Sequence, residues 1–177
     1  MNILRVEEIR KKNIKITNEP IIYYWWFKTE SLNKLLKKLS NVSDNEKLKI
    51  KNIEGENYAL LYIGKAKKGH DRLIKYHIHD SSNFHLTGVE NGRLSSLRST
   101  LCGLLELRMS SSKEKINKFM DENCIVEWQS EALNEIETKE RMLIKTHYLP
   151  LNWQNTKGIL SKEHRNILSR SKKEMRN

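Results

Sequence analysis

Three side chains of the kinds that phosphoryl chemistry needs stand at informative places in this 177-residue chain: the phenol of Tyr62, the guanidinium of Arg72 and the carboxylate of Glu140. Tyr62 lies near the end of the apolar run Tyr58 to Gly64, YALLYIG, and Arg72 follows ten positions later. Tyr76 falls one α-helical turn beyond Arg72, on the same face of a helix. A phenol, a forked cation and a second phenol are thus gathered near one strand end. Glu140 is conspicuous for another reason. Between Glu131 and His147 the residues Leu133, Ile136, Leu143 and Ile144 make a helical apolar stripe, and Glu140 falls inside it. A carboxylate buried there without a partner is costly, so it needs a lysine or arginine, hydrogen-bond donors, or a divalent metal. In phosphodiester hydrolysis a phenol orients or deprotonates water, a fork of N–H groups holds the non-bridging oxygens, and a carboxylate-held metal offsets developing charge.

The elements that must position these groups are readable from periodicity. Ile21 to Phe27, IIYYWWF, follows Pro20 and is too short and too rich in strand formers for a helix, so it reads as a central strand whose aromatics are mostly core. Leu32, Leu35, Leu36 and Leu39 mark an amphipathic helix from Thr29 to Ser40. Residues 41 to 56 read as a polar surface excursion, and Tyr58 to Gly64 as a second strand paired with the first. A helix carrying Arg72 should follow. Leu94, Leu97, Leu101, Leu104 and Leu105 form a further helical stripe, a shorter helix spans Ser112 to Glu122, and Cys124 to Trp128 alternates as a strand. After the Glu140 helix, stopped by Pro150, a last basic helix starts at Ser161, a suitable N-cap. The expected architecture is an α/β fold in one domain: a small mixed sheet flanked by helices.

Composition narrows the function classes. With 33 basic against 22 acidic side chains the net charge is +11, which makes nucleic acid the default partner. No run of eighteen apolar residues and no leader-like N-terminal segment is present, so a cytoplasmic protein with no membrane role is expected. Cys102 and Cys124 fit neither a disulfide framework nor a zinc site. His70, His77, His79, Asp80 and His85 have no zinc-like spacing, and an α-helix would rotate His77 away from Arg72; they read as solvated or phosphate-contacting groups. The basic C-terminal segment, with Arg165, Arg170, Lys172, Lys173 and Arg176, is either a solvated face or a set of phosphate contacts.

Tyr62-Ile63-Gly64, within YIGKAKKGHDRLIKY, together with Glu140 opening ERMLIKTHYLPLN, resembles the GIY-YIG nuclease family. The match is similar to the incision domain of bacterial excision-repair nucleases at Tyr62, Lys65, Arg72 and Tyr76, and continues through Glu140, Leu143, Ile144 and Asn152. The first signature is altered: Ile21-Ile22-Tyr23 stands where Gly-Ile-Tyr is expected, so Tyr23 matches the motif tyrosine and Ile21 replaces its glycine. The similarity covers Pro20 to Asn152, with Asp80 to Asn123 reading as a helical insertion. SSLRSTLCGLL and ILSKEHRNIL resemble a bacterial subgroup of the same family. The resemblance implies a mixed three-stranded sheet with helices, one Mg2+ or Mn2+ on Glu140, Tyr62 or Tyr23 acting on the water, Arg72 and Lys65 clamping the phosphate, and Asn152 in support. Hydrolysis would leave 3′-hydroxyl and 5′-phosphate ends, and a homodimer would serve duplex cleavage.

Three functions are therefore weighed: an endonuclease on DNA, a non-catalytic nucleic-acid-binding module that kept the scaffold, and a basic protein-interaction domain. In the last, Glu140 would be bonded to a lysine, away from Tyr62 and Arg72.

Overall fold

The computed structural model describes residues 2–80 and 95–176. In chain order it contains β1 (Asn2–Arg5), α1 (Val6–Lys12), β2 (Ile21–Lys28), a short α2 (Leu32–Leu35), β3 (Ile50–Ile53), β4 (Glu56–Ala66), α3 (His70–Ile78), α4 (Ser96–Leu104), α5 (Lys113–Asn123), β5 (Cys124–Ser130), α6 (Ile136–Thr146) and α7 (Lys162–Glu174). The five strands form one sheet in the order β1-β5-β2-β4-β3, and every neighbouring pair is antiparallel. The unbroken apolar run of β2 accounts for its central place, since a strand covered on both faces needs no polar alternation. The aromatics Tyr24, Trp25, Trp26 and Phe27 are all buried, as the sequence predicts.

The sheet has a large and a small apolar face. Ile21, Tyr23, Trp25 and Phe27 point to the large one, in a cluster with residues of α1, α2, α3, α4, α5 and α7. Ile22, Tyr24 and Trp26 point to the other, which Ile136 and Ile144 of α6 cover. On the large face α4 and α7 cross closely at Gly103, where a Cβ would come within 2.8 Å of the Ser171 backbone. No described helix is long and apolar enough to cross a membrane.

Several expectations are corrected. The sheet has five antiparallel strands rather than three in a mixed arrangement. The two additions, β1 and β3, are four-residue edge strands that bury little, so they carry no apolar run to announce them. β3 lies inside the stretch read as an excursion and turns into β4 through Glu54 and Gly55, both at positive φ (52° and 85°). The helix expected over Thr29 to Ser40 is one short α-helical turn flanked by 3-10 turns, although Leu35, Leu36 and Leu39 are buried as predicted. The Glu140 helix begins at Ile136, not Glu131. The Glu131 N–H donates to Pro20 O at 2.9 Å and prolongs the sheet ladder instead, leaving Leu133 exposed. Of the stretch read as an insertion, residues 81–94, with Leu94 and His85, lie outside the described residues, and the remainder builds α4 and α5. The last helix begins as expected, with Ser161 Oγ accepting from the His164 N–H at 3.0 Å.

Candidate active site

The site is set up by an irregularity in β4. Trp25 of β2 pairs with Tyr62 but Trp26 pairs with Leu60, so Leu61 is an extra residue on β4, a β-bulge. Tyr58 and Leu60 pack on the small face, and strict alternation would send Tyr62 there too. Beyond the bulge Tyr62 joins the large face instead. Two residues on, Gly64 pairs with Tyr23, whose ring lies so close that a Cβ at Gly64 would sit 2.6 Å from it. The signature glycine is required here for clearance: it lets the buried Tyr23 phenol cross over β4. Ile21, in place of the other motif glycine, is a fully buried core residue paired with Ala66 and Ser130 in a regular strand, so its side chain strengthens packing without disturbing the backbone.

α3 brings the Arg72 guanidinium and an unexpected imidazole. Its start is pinned by Gly69 N to Glu19 O (3.0 Å) and His70 N to Thr17 O (3.1 Å), and it winds as a π-helix, with His79 N donating to Ile74 O at 2.8 Å. Bonds from i to i+5 widen the turn, so position i+5 returns towards the face that an α-helix would rotate away from. This corrects the expectation for both neighbours of that turn. Tyr76 is 39% exposed and does not line the cleft. His77 is fully buried, with Nε2 hydrogen-bonded to the Tyr23 hydroxyl at 2.9 Å and Nδ1 to Ser95 Oγ. Burial holds its imidazole neutral, well below the ordinary histidine value, with Arg72 and Arg98 reinforcing the effect. The Arg72 guanidinium favours the ionised form of the Tyr23 hydroxyl and so opposes the effect of burial on it. Ser95 caps α4, and the next residue, Ser96, places Oγ 2.8 Å from the Tyr62 hydroxyl. Burial raises the pKa of both tyrosines, so each is a neutral phenol at physiological pH.

From the other side α6 contributes Glu140, its side chain 14% exposed and paired with Lys65 at 3.1 Å; Lys65 also reaches Glu137 at 3.4 Å. Glu140 is thus bonded to a lysine, yet beside Tyr62 and Arg72 rather than away from them. Asn152 closes the group. Past Leu60, β4 loses β3 as a neighbour, and the segment before α7 takes over that edge: Leu151 N donates to Leu61 O at 3.1 Å. The Asn152 amide then accepts from Ile63 N (3.0 Å) and donates to Ile63 O (2.8 Å). Tyr62, Arg72, Ser96, Glu140 and Asn152 line one cavity of about 280 Å3. Tyr23 lies behind it and Lys65 beside it.

Sequence reasoning missed His77, Ser95 and Ser96. The paired serines before the Leu97 stripe carry an N-cap signal that could have placed them at a helix start, whereas no local signal announces a π-helix. Among the described residues no three His, Cys, Asp or Glu side chains converge as a metal cage. A metal here would therefore rest on Glu140 with oxygens from water and phosphate, a donor set that suits a hard cation such as Mg2+.

Comparison with known proteins identifies the family. No curated protein and no solved structure matches the chain significantly. Residues 21–174 match the family model of the GIY-YIG catalytic domain, a span that runs from the altered first signature to the end of α7 and takes in α4 and α5. With the match extending over most of its length, the chain belongs to the GIY-YIG nuclease superfamily.

Proposed function

We propose that this protein is a metal-dependent endonuclease that hydrolyses phosphodiester bonds in DNA, the whole chain acting as one cytoplasmic domain. The observation that carries the reading is the meeting of Tyr62, Arg72 and Glu140 in one cavity, each from a different element. Glu140 would hold Mg2+ or Mn2+, which supplies Lewis-acid polarisation of the phosphoryl oxygen when bound. Arg72 fits the non-bridging oxygens with its fork of N–H groups. Tyr62, kept a phenol by burial and tethered by Ser96, orients the attacking water. Tyr23, hydrogen-bonded to His77 and electrostatically coupled to Arg72, supports the guanidinium from behind. Lys65 steadies the Glu140 carboxylate and is close enough to the cleft to meet an incoming phosphate. The water oxygen bonds to phosphorus as the P–O3′ bond breaks, and the electron pair and a proton pass to the departing 3′ oxygen. One such site cuts one strand, so cutting both strands of a duplex together takes two copies.

Supercoiled plasmid incubated with Mg2+ or Mn2+ should be nicked or linearised, and Glu140→Gln and Arg72→Ala should each lose at least about 10²-fold in rate. Undiminished cutting by Glu140→Gln, or no cleavage of DNA or RNA with either ion, would sink the reading. The Lys65 to Glu140 pair favours one alternative, a scaffold that binds nucleic acid without cutting it, for which binding would persist with no turnover under any ion.

A further inference from the structure

Trp153, one residue after the Asn152 clamp, is 47% exposed, while Trp25, Trp26 and Trp128 are buried. A single exposed aromatic is unremarkable by itself, but this one stands at a junction. It lines the catalytic cavity and also a second, larger one of about 610 Å3, whose far wall carries Lys157, Lys162 and Arg165. None of these three cations has a carboxylate partner among the described residues. From the catalytic side Lys172 places its ammonium 5.6 Å from the indole centroid, within cation–π reach.

The loop presenting Trp153 is held rigidly. Thr156 is buried and donates from Oγ1 to Trp153 O at 2.9 Å, and the N–H groups of Ile159 and Leu160 both donate to Thr156 O at 3.0 Å. An aromatic platform fixed in this way loses little freedom when a flat partner stacks on it. A cavity of this volume is on the small-molecule scale, so it takes one splayed nucleotide rather than a duplex.

We propose that Trp153 with Lys157, Lys162 and Arg165 forms a single-strand subsite: an unpaired base next to the scissile phosphate stacks on the indole, and the adjoining phosphates lie along the cations. The inference rests on the nuclease reading for the place of the scissile phosphate. It means that the preferred substrate offers an unpaired nucleotide at the cut, as a flap, overhang or junction does.

Because the other three tryptophans are buried, intrinsic fluorescence reports on Trp153. In chelator, so that nothing is cut, an oligothymidylate should quench part of the emission saturably. Trp153→Phe should abolish that quenching yet keep most of the affinity. Trp153→Ala should weaken binding by roughly 5- to 150-fold, the span expected when one base stack is removed. Combining Lys162→Ala with Arg165→Ala should flatten the dependence of log affinity on log salt by about 0.7 for each phosphate that is no longer neutralised. Unchanged affinity in Trp153→Ala, or equal quenching by a blunt duplex, overturns the subsite. An oligouridylate run in parallel separates DNA from RNA as the source of the base. Plasmid cleavage without quenching removes the subsite and spares the nuclease reading, and quenching without cleavage does the reverse.

Discussion

Glu127 and Glu140 are both carboxylates set among apolar neighbours, on β5 and α6, and their surroundings diverge. Glu127, its side chain 7% exposed, accepts from Trp26 Nε1 at 2.9 Å and from the Lys51 ammonium at 2.8 and 3.0 Å, and that ammonium also sits 4.6 Å over the Trp26 ring. Each of its oxygens has a donor. Among the described residues Glu140 has one cation partner, shared with Glu137, and it opens on a cavity with a guanidinium and a phenol. Burial alone does not separate a structural carboxylate from one poised for chemistry. The useful distinction is how many donors are already committed and whether space remains for another partner.

Neutral replacement of each lysine tests that distinction most sharply. Lys51→Met strands Glu127 as a buried charge and should cost about 3–5 kcal/mol in urea unfolding. Lys65→Met, beside the open cleft, should cost less than about 1 kcal/mol; equal losses would erase the contrast. Next in size is a steric effect at the cluster around Tyr23, with no counterpart at Glu127. Gly64→Ala drives a methyl into the Tyr23 ring, and overpacking of this kind costs about 1–3 kcal/mol, with nuclease activity lost as Tyr23 shifts. A variant as stable and active as the parent would refute the packing argument. The third difference is in pH. An unfolded His77 takes up a proton as pH falls through about 6.5, while the folded chain resists it because the pKa there is depressed. Stability is therefore full above that value and declines below it, by up to about 1.4 kcal/mol for each pH unit from this group. His77→Gln should flatten that slope and Lys51→Met should keep it; identical slopes in His77→Gln and the parent would show that the imidazole is not held neutral.

Much of this was legible beforehand. The buried strands around Tyr23 and Tyr62 followed from apolar runs, and Glu140 from a break in a helical stripe. The stripe itself was partly misread, since Leu133 belongs to a turn. β1 and β3 escaped because short, half-exposed edge strands leave no periodic trace. Glu127 passed without remark in a strand that reads as alternating, its significance depending on Lys51, 76 residues away. Tyr76 and His77 were exchanged because a helical reading assumes a fixed turn, and the π-winding of α3 depends on contacts that the local sequence does not encode.

The extra residue at Leu61 bears on how such a site can be gained or lost. In an element of period two, side is a matter of parity, and the bulge absorbs the odd residue so that Tyr62 and the positions after it keep their faces. Without Leu61, Tyr62 would follow Leu60 directly and still stand opposite Trp25 on the large face, now in a regular ladder. A second residue inserted beside Leu61, or a ladder that ironed the bulge out with Leu61 in place, would turn Tyr62 to the small face, so the smallest edit that separates the motif from the site it spells is one that changes no signature residue but shifts this parity.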